Sequence, residues 1–266
     1  MEIWTVSNQK GGVGKTTTVV SLAGLLAQTG QRVLMVDMDP HGSLSCYFGL
    51  NPDDDMPSVY GLFERFSLNQ PLAPKTLTHQ TRIPNLDLLP STTALVTIEK
   101  KMGLKDGMGR VLQMALNELR EEYDYVLVDT PPLLGVLLIN ALAASNQLLI
   151  PVQTEFLAMK GLERMMNTLR MLTQSLGQQV DHTIIPTMYD RRTHASTESL
   201  RLLRQQYNGH IWPAMIPIDT KFRDASKAGV PPSHYISSAR GVRAYRSLLK
   251  YLLVHAHSSE TSQQAV

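Results

Sequence analysis

The feature that most narrows the fold of this 266-residue chain is a glycine-rich loop between an apolar segment and a helical one near the N-terminus. Asn8-Gln9-Lys10-Gly11-Gly12-Val13-Gly14-Lys15-Thr16-Thr17-Thr18 directly follows Ile3–Ser7. A strand, a loop of small residues and a helix start, in that order, form a nest of backbone N–H groups beside a helix N-terminus, and both point partial positive charge at phosphate oxygens. Glycines are needed because side chains would block that approach. On this reading Lys15 neutralises β/γ-phosphate charge, Thr16 offers its hydroxyl to Mg²⁺ and Thr17 reaches the α-phosphate side. The competing explanation is a merely flexible turn.

The loop departs twice from the usual G-x-x-x-x-G-K-[ST] spacing: Gln9 replaces the first glycine, and a second lysine, Lys10, sits inside. One lysine already serves one set of phosphates. Lys10 is then either a solvated surface charge or a cation that reaches the nucleotide of a second subunit, cancelling charge that would keep two triphosphates apart.

The rest of the chain fits a strand–helix alternation wound into a mostly parallel sheet. Expected strands are Ile3–Ser7, Arg32–Asp37, Leu86–Leu89, Tyr125–Asp129, Leu148–Val152, His182–Pro186 and Ile211–Met215, most of them Val/Ile/Leu-rich without alternation, as in strands covered on both faces. Expected helices are Lys15–Thr29, closed by Gly30, then Met108–Glu122, Gly135–Ala144, Leu157–Leu176, Ser196–Tyr207 and Ala239–His255. Apolar positions 162, 165, 166, 169 and 172 form one helical face whose methionines read as packing. Residues 51–82, with Asp53-Asp54-Asp55 and scattered prolines, read as an irregular excursion.

With 43% hydrophobic residues the chain can bury a large core, and no Pro/Ser/Gly-rich linker divides it, so a single domain over 1–255 with a polar, flexible tail over 256–266 is expected. The single cysteine, Cys46, can make neither an intrachain disulfide nor a metal cluster, which fits a reducing cytoplasm, and is expected to be a small buried residue. The start Met1-Glu2-Ile3-Trp4 leaves no room for a signal peptide before the loop, and the longest apolar stretch, Leu133 to Ala144, falls short of a membrane span, so a soluble protein is expected.

A pair of carboxylates and a single one complete the local chemistry. Asp37 and Asp39 lie at the end of the second strand, where open α/β sheets place ligands, and Asp129 ends an apolar run where a lone carboxylate is costly unless it meets a cation. Helix capping is the alternative role for each.

Lys-Gly-Gly-Val-Gly-Lys-Thr-Thr at 10–17 resembles the deviant Walker A motif of the ParA/MinD family, P-loop NTPases whose members dimerise as an ATP sandwich through the extra lysine. The Asn-Gln-Lys opening is similar to the ParA branch. Val36-Asp37-Met38-Asp39-Pro40 resembles the first switch of that family, Val128-Asp129-Thr130-Pro131-Pro132 its Walker B and second switch, and Pro151-Val152-Gln153-Thr154-Glu155-Phe156 its next strand-to-helix junction. The likeness spans residues 2 to about 252.

The resemblance implies an Mg²⁺-dependent ATPase, weak alone, that switches with ATP and ADP. It implies catalytic roles for Lys10, Lys15 and Asp39, the last orienting the attacking water, with Asp37 near the Mg²⁺ shell and Asp129 reaching the ion through water. Nucleotide contacts run over Lys10, Gly11, Gly12, Val13, Gly14, Lys15, Thr16 and Thr17, with Met188, Pro217 and Asp219 at the adenine. His41-Gly42-Ser43 stands where ParA proteins typically carry Gln-Gly-Asn.

Charge is unevenly distributed. Between Asp190 and Lys250 there are eleven basic and four acidic residues, although the whole chain has a formal net charge of only +2. Lys221, Arg223, Lys227, Arg240, Arg243 and Arg246 are either solvated surface or, given the family, a non-specific nucleoid DNA contact made by the ATP-dependent homodimer. The tail from His255 carries no apolar face or Lys/Arg cluster, against membrane insertion.

Together these imply a switch that partitions or positions a cargo, a DNA locus or a polar chemotaxis array, through slow hydrolysis stimulated by an adaptor protein, with nucleoid or polar placement. The chemotaxis resemblance rests on Asp39-Pro40-His41-Gly42-Ser43 and Tyr47-Phe48-Gly49. A MinD-like regulator of division or flagellar placement, a small-molecule ATP-dependent ligase, an iron–sulfur carrier and a non-hydrolysing adaptor are the alternatives. Lys10 argues against the ligase, the lone cysteine against the carrier, and Asp39 with Asp129 against the non-hydrolysing adaptor.

Overall fold

The computed structural model describes residues 1–101, 106–176 and 180–263. Its strands are β1 (Glu2–Val6), β2 (Val33–Asp37), β3 (His79–Gln80), β4 (Leu86–Leu89), β5 (Tyr125–Asp129), β6 (Gln147–Gln153) and β7 (Asp181–Thr187). They form one seven-stranded sheet in the order β3-β4-β2-β5-β1-β6-β7. Every pairing is parallel except that of β3 with β4. The helices are α1 (Lys15–Gln28), α2 (Ser43–Tyr47), α3 (Val59–Ser67), α4 (Leu95–Lys101), α5 (Val111–Glu118), α6 (Val136–Ala144), α7 (Phe156–Leu176), α8 (His194–Gln206), α9 (Lys221–Ala228), α10 (Pro232–Tyr235) and α11 (Arg240–Gln263).

Successive strand residues face opposite sides of a sheet, and here both sides are dry. On β2, Leu34 and Val36 join Leu62, Phe63, Leu112 and Leu137 under α3, α5 and α6. Val33 and Met35 join Leu22, Leu26, Tyr245 and Leu248 under α1 and α11. A third cluster, with Leu162, Met165 and Leu169, seats α7 against β6 and β7, so the methionine stripe is packing, as its spacing suggested. The doubly wound α/β expectation therefore holds.

Several local expectations do not. Ile211–Met215 is not a strand: only Ile211 bridges to Ile184, and Pro213, which lacks an N–H, interrupts further pairing at the sheet edge. The seventh strand is instead the two-residue β3. The stretch 51–82 is not irregular throughout, because Val59, Leu62 and Phe63 at helical spacing bury one face of α3. The helix expected over Met108–Glu122 begins as a 3₁₀ turn at Met108–Arg110 and ends at Glu118. Cys46 is exposed, not buried, because Leu44 and Ser45 occupy the inward side of the short α2. The last helix runs to Gln263, past the end expected at His255, while the side chains after His255 lie outside the described residues.

Candidate active site

The parallel ladder brings the chemistry together. Asp37 and Asp129 are direct neighbours at the carboxyl ends of β2 and β5, and Val6, the last residue of β1, pairs with Asp129 on its other side. The glycine loop leaves β1 at this point and feeds α1. Gly12 (φ 73) and Gly14 (φ 95, ψ 27) take left-handed conformations that favour glycine. A Cβ at Gly11, Gly12 or Gly14 would meet nothing within 4 Å, so the concave side of the loop is open.

Tertiary bonds hold the loop from behind. Asn8 donates from Nδ2 to the Pro151 carbonyl (2.8 Å) and accepts the Lys10 N–H at Oδ1 (3.0 Å). Gln9 donates to Thr168 Oγ1 on α7 (2.8 Å), and Thr187 Oγ1 donates to the Val13 carbonyl (2.9 Å). Thr18 Oγ1 bonds the Gly14 carbonyl (2.8 Å) and shares a hydrogen bond with buried Tyr245 on α11 (2.9 Å). Lys10 does not point freely into solvent: its ammonium forms an ion pair with Glu155.

Lys15 is buried and folds back over the loop, its Nζ 3.4 Å from the Lys10 carbonyl oxygen. Burial pulls its ammonium below the usual lysine value, while the Asp129 and Asp39 carboxylates pull the other way. Asp129 accepts the Thr16 hydroxyl at Oδ2 (2.6 Å), but its buried Oδ1 has no hydrogen-bond partner. Its carboxyl is raised well above the ordinary 3.8, by burial first and then by the neighbouring Asp37 charge. Asp37 is raised by burial as well, against hydrogen bonds from Ser45 and Asp39.

Two buried carboxyl groups, one with an orphaned oxygen, beside a threonine hydroxyl and a single lysine form a pocket in which full ionisation waits for further positive charge. These donors suit a hard, oxygen-seeking divalent cation such as Mg²⁺. Asp129 is the residue with an oxygen to offer. Asp37 is already engaged: Ser45 donates to its Oδ2 from N (2.8 Å) and Oγ (2.7 Å), and the Asp39 N–H reaches its Oδ1 (3.2 Å). Asp39 is half-buried and accepts the His41 N–H at Oδ1 (3.0 Å), while His41 itself is exposed.

The residues expected at the adenine sit further along the same edge. Met188, at φ 54 in the left-handed region, lies next to Pro217 through the Tyr189–Pro217 bridge. Both oxygens of Asp219 accept backbone N–H groups, from Lys221 (3.0 Å) and Gly241 (2.9 Å), so Asp219 ties α9 to the start of α11. A cavity of about 500 Å³ opens beside Thr16 and Thr17, walled by Tyr47, Phe222, Arg223 and Lys227. Sequence reasoning missed Tyr47 and Phe222 there; Arg223 and Lys227 are exposed, as expected of a basic surface, and also border this cavity. Nothing in their local sequence signals a shared wall. Of the other basic candidates, Lys221 pairs with Asp224 (3.1 Å), Arg240 and Arg243 are exposed, and Arg246 is half-buried. Among the described residues no helix is long and apolar enough to cross a membrane.

Comparison with known proteins accords with this geometry. An AAA-domain family model matches residues 1–182. The chain is 34% identical to the sporulation initiation inhibitor protein Soj of Bacillus subtilis, over 94% of this chain and 97% of that protein. It is 33% identical to the chromosome partitioning protein ParA of Myxococcus xanthus, over 93% of this chain and 86% of that protein. Among solved structures, cobyrinic acid a,c-diamide synthase from Mycobacterium smegmatis, with bound ATP analog and magnesium, superposes with a TM-score of 0.81 at 32% identity, covering 97% of each chain. Glycine loop, paired strand-end carboxylates and kinship over nearly the whole length lead to one assignment: the chain belongs to the AAA-domain ATPases of the ParA/MinD family, on the ParA branch.

Proposed function

We propose that this chain is a Mg²⁺-dependent ATPase that uses slow, stimulated hydrolysis to partition or position a cellular cargo. The observation that carries the reading is the buried Asp129 carboxylate, with one oxygen unpartnered, beside Thr16 and Lys15 at the mouth of an open glycine loop. A relative that bears a chromosome-partitioning name, alike over 93% of this chain, favours this over a division-site regulator. The neighbour named as a diamide synthase shares the fold, but amide ligation has no use for the second loop lysine, Lys10.

In this reading the backbone N–H groups of Gly11 to Thr17 hold the phosphates, Lys15 offsets their charge, and Thr16 and Asp129 hold the metal, Asp129 through water. Mg²⁺, when bound, neutralises charge on the β- and γ-phosphate oxygens. Asp39 accepts a hydrogen bond from the attacking water and orients it. Met188, Pro217 and Asp219 line the base, beside the cavity under α9. Asp37 acts mainly by ordering the loop that carries Asp39.

Lys10 serves the nucleotide of a second copy, so two chains close face to face on ATP. The exposed guanidinium groups of Arg240 and Arg243, with Lys221, Arg223, Lys227 and Arg246, are the candidate contact to nucleoid DNA. An adaptor linked to the cargo, a DNA locus or a polar chemotaxis array, resets the switch. Analytical sedimentation tests the core of this reading. Asp39→Ala should sediment as a dimer with Mg-ATP and as a monomer with ADP, Lys10→Ala should bind ATP yet stay monomeric, and Lys15→Ala should not bind. A Lys10→Ala variant that dimerises like the parent would refute the cross-subunit role.

A further inference from the structure

Asp39 is the residue on which hydrolysis turns in this reading, yet the loop that carries it is held by two serines outside every nucleotide-binding motif. Ser45 and Ser91 are both fully buried. Ser45 Oγ donates to Asp37 Oδ2 (2.7 Å) and accepts the Ser91 N–H (2.9 Å). Ser91 Oγ donates to the Asp39 carbonyl (2.6 Å), and the Asp39 N–H returns to Asp37 Oδ1 (3.2 Å). The four residues close a ring of hydrogen bonds: Asp37, Ser45, Ser91, Asp39 and back to Asp37.

The fold explains why Ser91 occupies this place. It lies just past β4, which pairs with β2 up to Val36 opposite Leu89. The next residue, Pro90, has no N–H to continue the ladder, so the chain turns and the Ser91 N–H is left to find Ser45. The Asp39 carbonyl receives a second donor, the Gly42 N–H (2.8 Å), which fills both of its lone pairs. With its N–H, its carbonyl and its Oδ1 all bonded, Asp39 has little freedom to redirect its carboxylate. A buried polar ring of this kind rigidifies only while every link is present.

We infer that Ser91 and Ser45 are positioning residues for hydrolysis: through this ring they fix the backbone of Asp39 and so aim its carboxylate at the attacking water. The inference rests on the reading that Asp39 orients that water. In a positioning role, misplacement of a reacting group by about 1 Å costs on the order of 10² in rate, so loss of one link should lower kcat by about tenfold to 10². ATP binding and ATP-driven pairing depend on the glycine loop and Lys10 and should survive.

The test is single-turnover phosphate release by the full chain at saturating Mg-ATP, with and without duplex DNA, beside the KM for ATP and sedimentation with ATP. Ser91→Ala should lose kcat about tenfold or more, with KM within about threefold of the parent and the ATP dimer intact. Ser45→Ala should do the same, and the double variant should be no slower than the worse single one, because both break one ring. Unchanged kcat in Ser91→Ala, while Asp39→Ala is inactive, would overturn the inference and leave the reading of Asp39 standing. An Asp39→Ala variant with parental turnover would overturn that reading, and the inference with it. Parallel loss of kcat, ATP affinity and dimer in both serine variants would reduce the ring to a folding element and also overturn it.

Discussion

Replacing Asp129 with asparagine should stabilise the nucleotide-free protein increasingly as pH rises, while abolishing its response to Mg-ATP. The effect follows from the two neighbouring carboxyl groups of Asp37 and Asp129, at most 1% exposed, which burial raises above the ordinary 3.8, with the Asp37 charge adding to the rise at Asp129. A carboxyl with a raised pKa keeps, in the folded state, a proton that the unfolded chain releases. Its contribution to stability is therefore complete below 3.8 and fades as pH climbs toward the folded-state value. Each retained proton costs about 1.4 kcal/mol per pH unit, so the proton held by Asp129 alone accounts for a loss of about 2.7 kcal/mol between roughly pH 5 and pH 7.

Asparagine at 129 removes that proton from the balance. Thr16 can still donate to its carbonyl oxygen, and the fixed cost of an amide nitrogen near the unpartnered Oδ1 position is the same at every pH, so it does not alter the slope. Urea denaturation followed by far-UV circular dichroism, in EDTA at about pH 5, 6 and 7, should show the gap in unfolding free energy moving in favour of the variant by about 1.4 kcal/mol per pH unit. With Mg-ATP at about 100 times the parental Kd, the parent should gain about 2.7 kcal/mol and the variant nothing. Parallel stability curves across this pH range would refute the argument that this carboxylate is a buried charge awaiting a cation.

Gly24→Ala should lower Tm although alanine favours helices, because the new Cβ would lie 2.3 Å from Pro231 Cβ, part of a ring that cannot swing aside. A clash this close against a ring, at about 2–3 kcal/mol of overpacking less about 1 kcal/mol of helix propensity, leaves about 1–2 kcal/mol and predicts a fall of roughly 2–8 °C by differential scanning calorimetry; an unchanged or raised Tm would show that the Pro231 segment yields. If the ATP-bound form contacts about four phosphates, raising salt from about 50 to 200 mM should weaken its retention on duplex DNA by on the order of 10² in a filter or anisotropy assay. A flat salt response would return the basic surface to the role of solvated charge.

Much of this protein is readable locally. The glycine loop must leave a strand and enter a helix, so β1 and α1 and the candidate phosphate-binding residues Gly11 to Thr17 follow from a few consecutive positions. The apolar runs over β2, β5, β6 and β7 betray strands covered on both faces. The short β3, with one half-buried residue, carries no such pattern, and α3 was obscured by the acidic and proline-rich residues before it.

The candidate site was legible in its motif residues but not in how they are employed. The spacing of Asp37, Asp39 and Asp129 placed three carboxylates at strand ends without showing that Ser45 occupies Asp37 or that Asp129 keeps an oxygen unpartnered. It likewise put Lys10 in the loop without revealing Glu155 as its partner, 145 residues away. Backbone chemistry written into neighbouring residues settles strands, turns and helix starts before the chain collapses. Which polar atom answers which, and which side chains border the cavity beside Thr16, depends on elements that meet only once the sheet is assembled, because hydrogen bonds and burial are decided by proximity in space rather than along the chain.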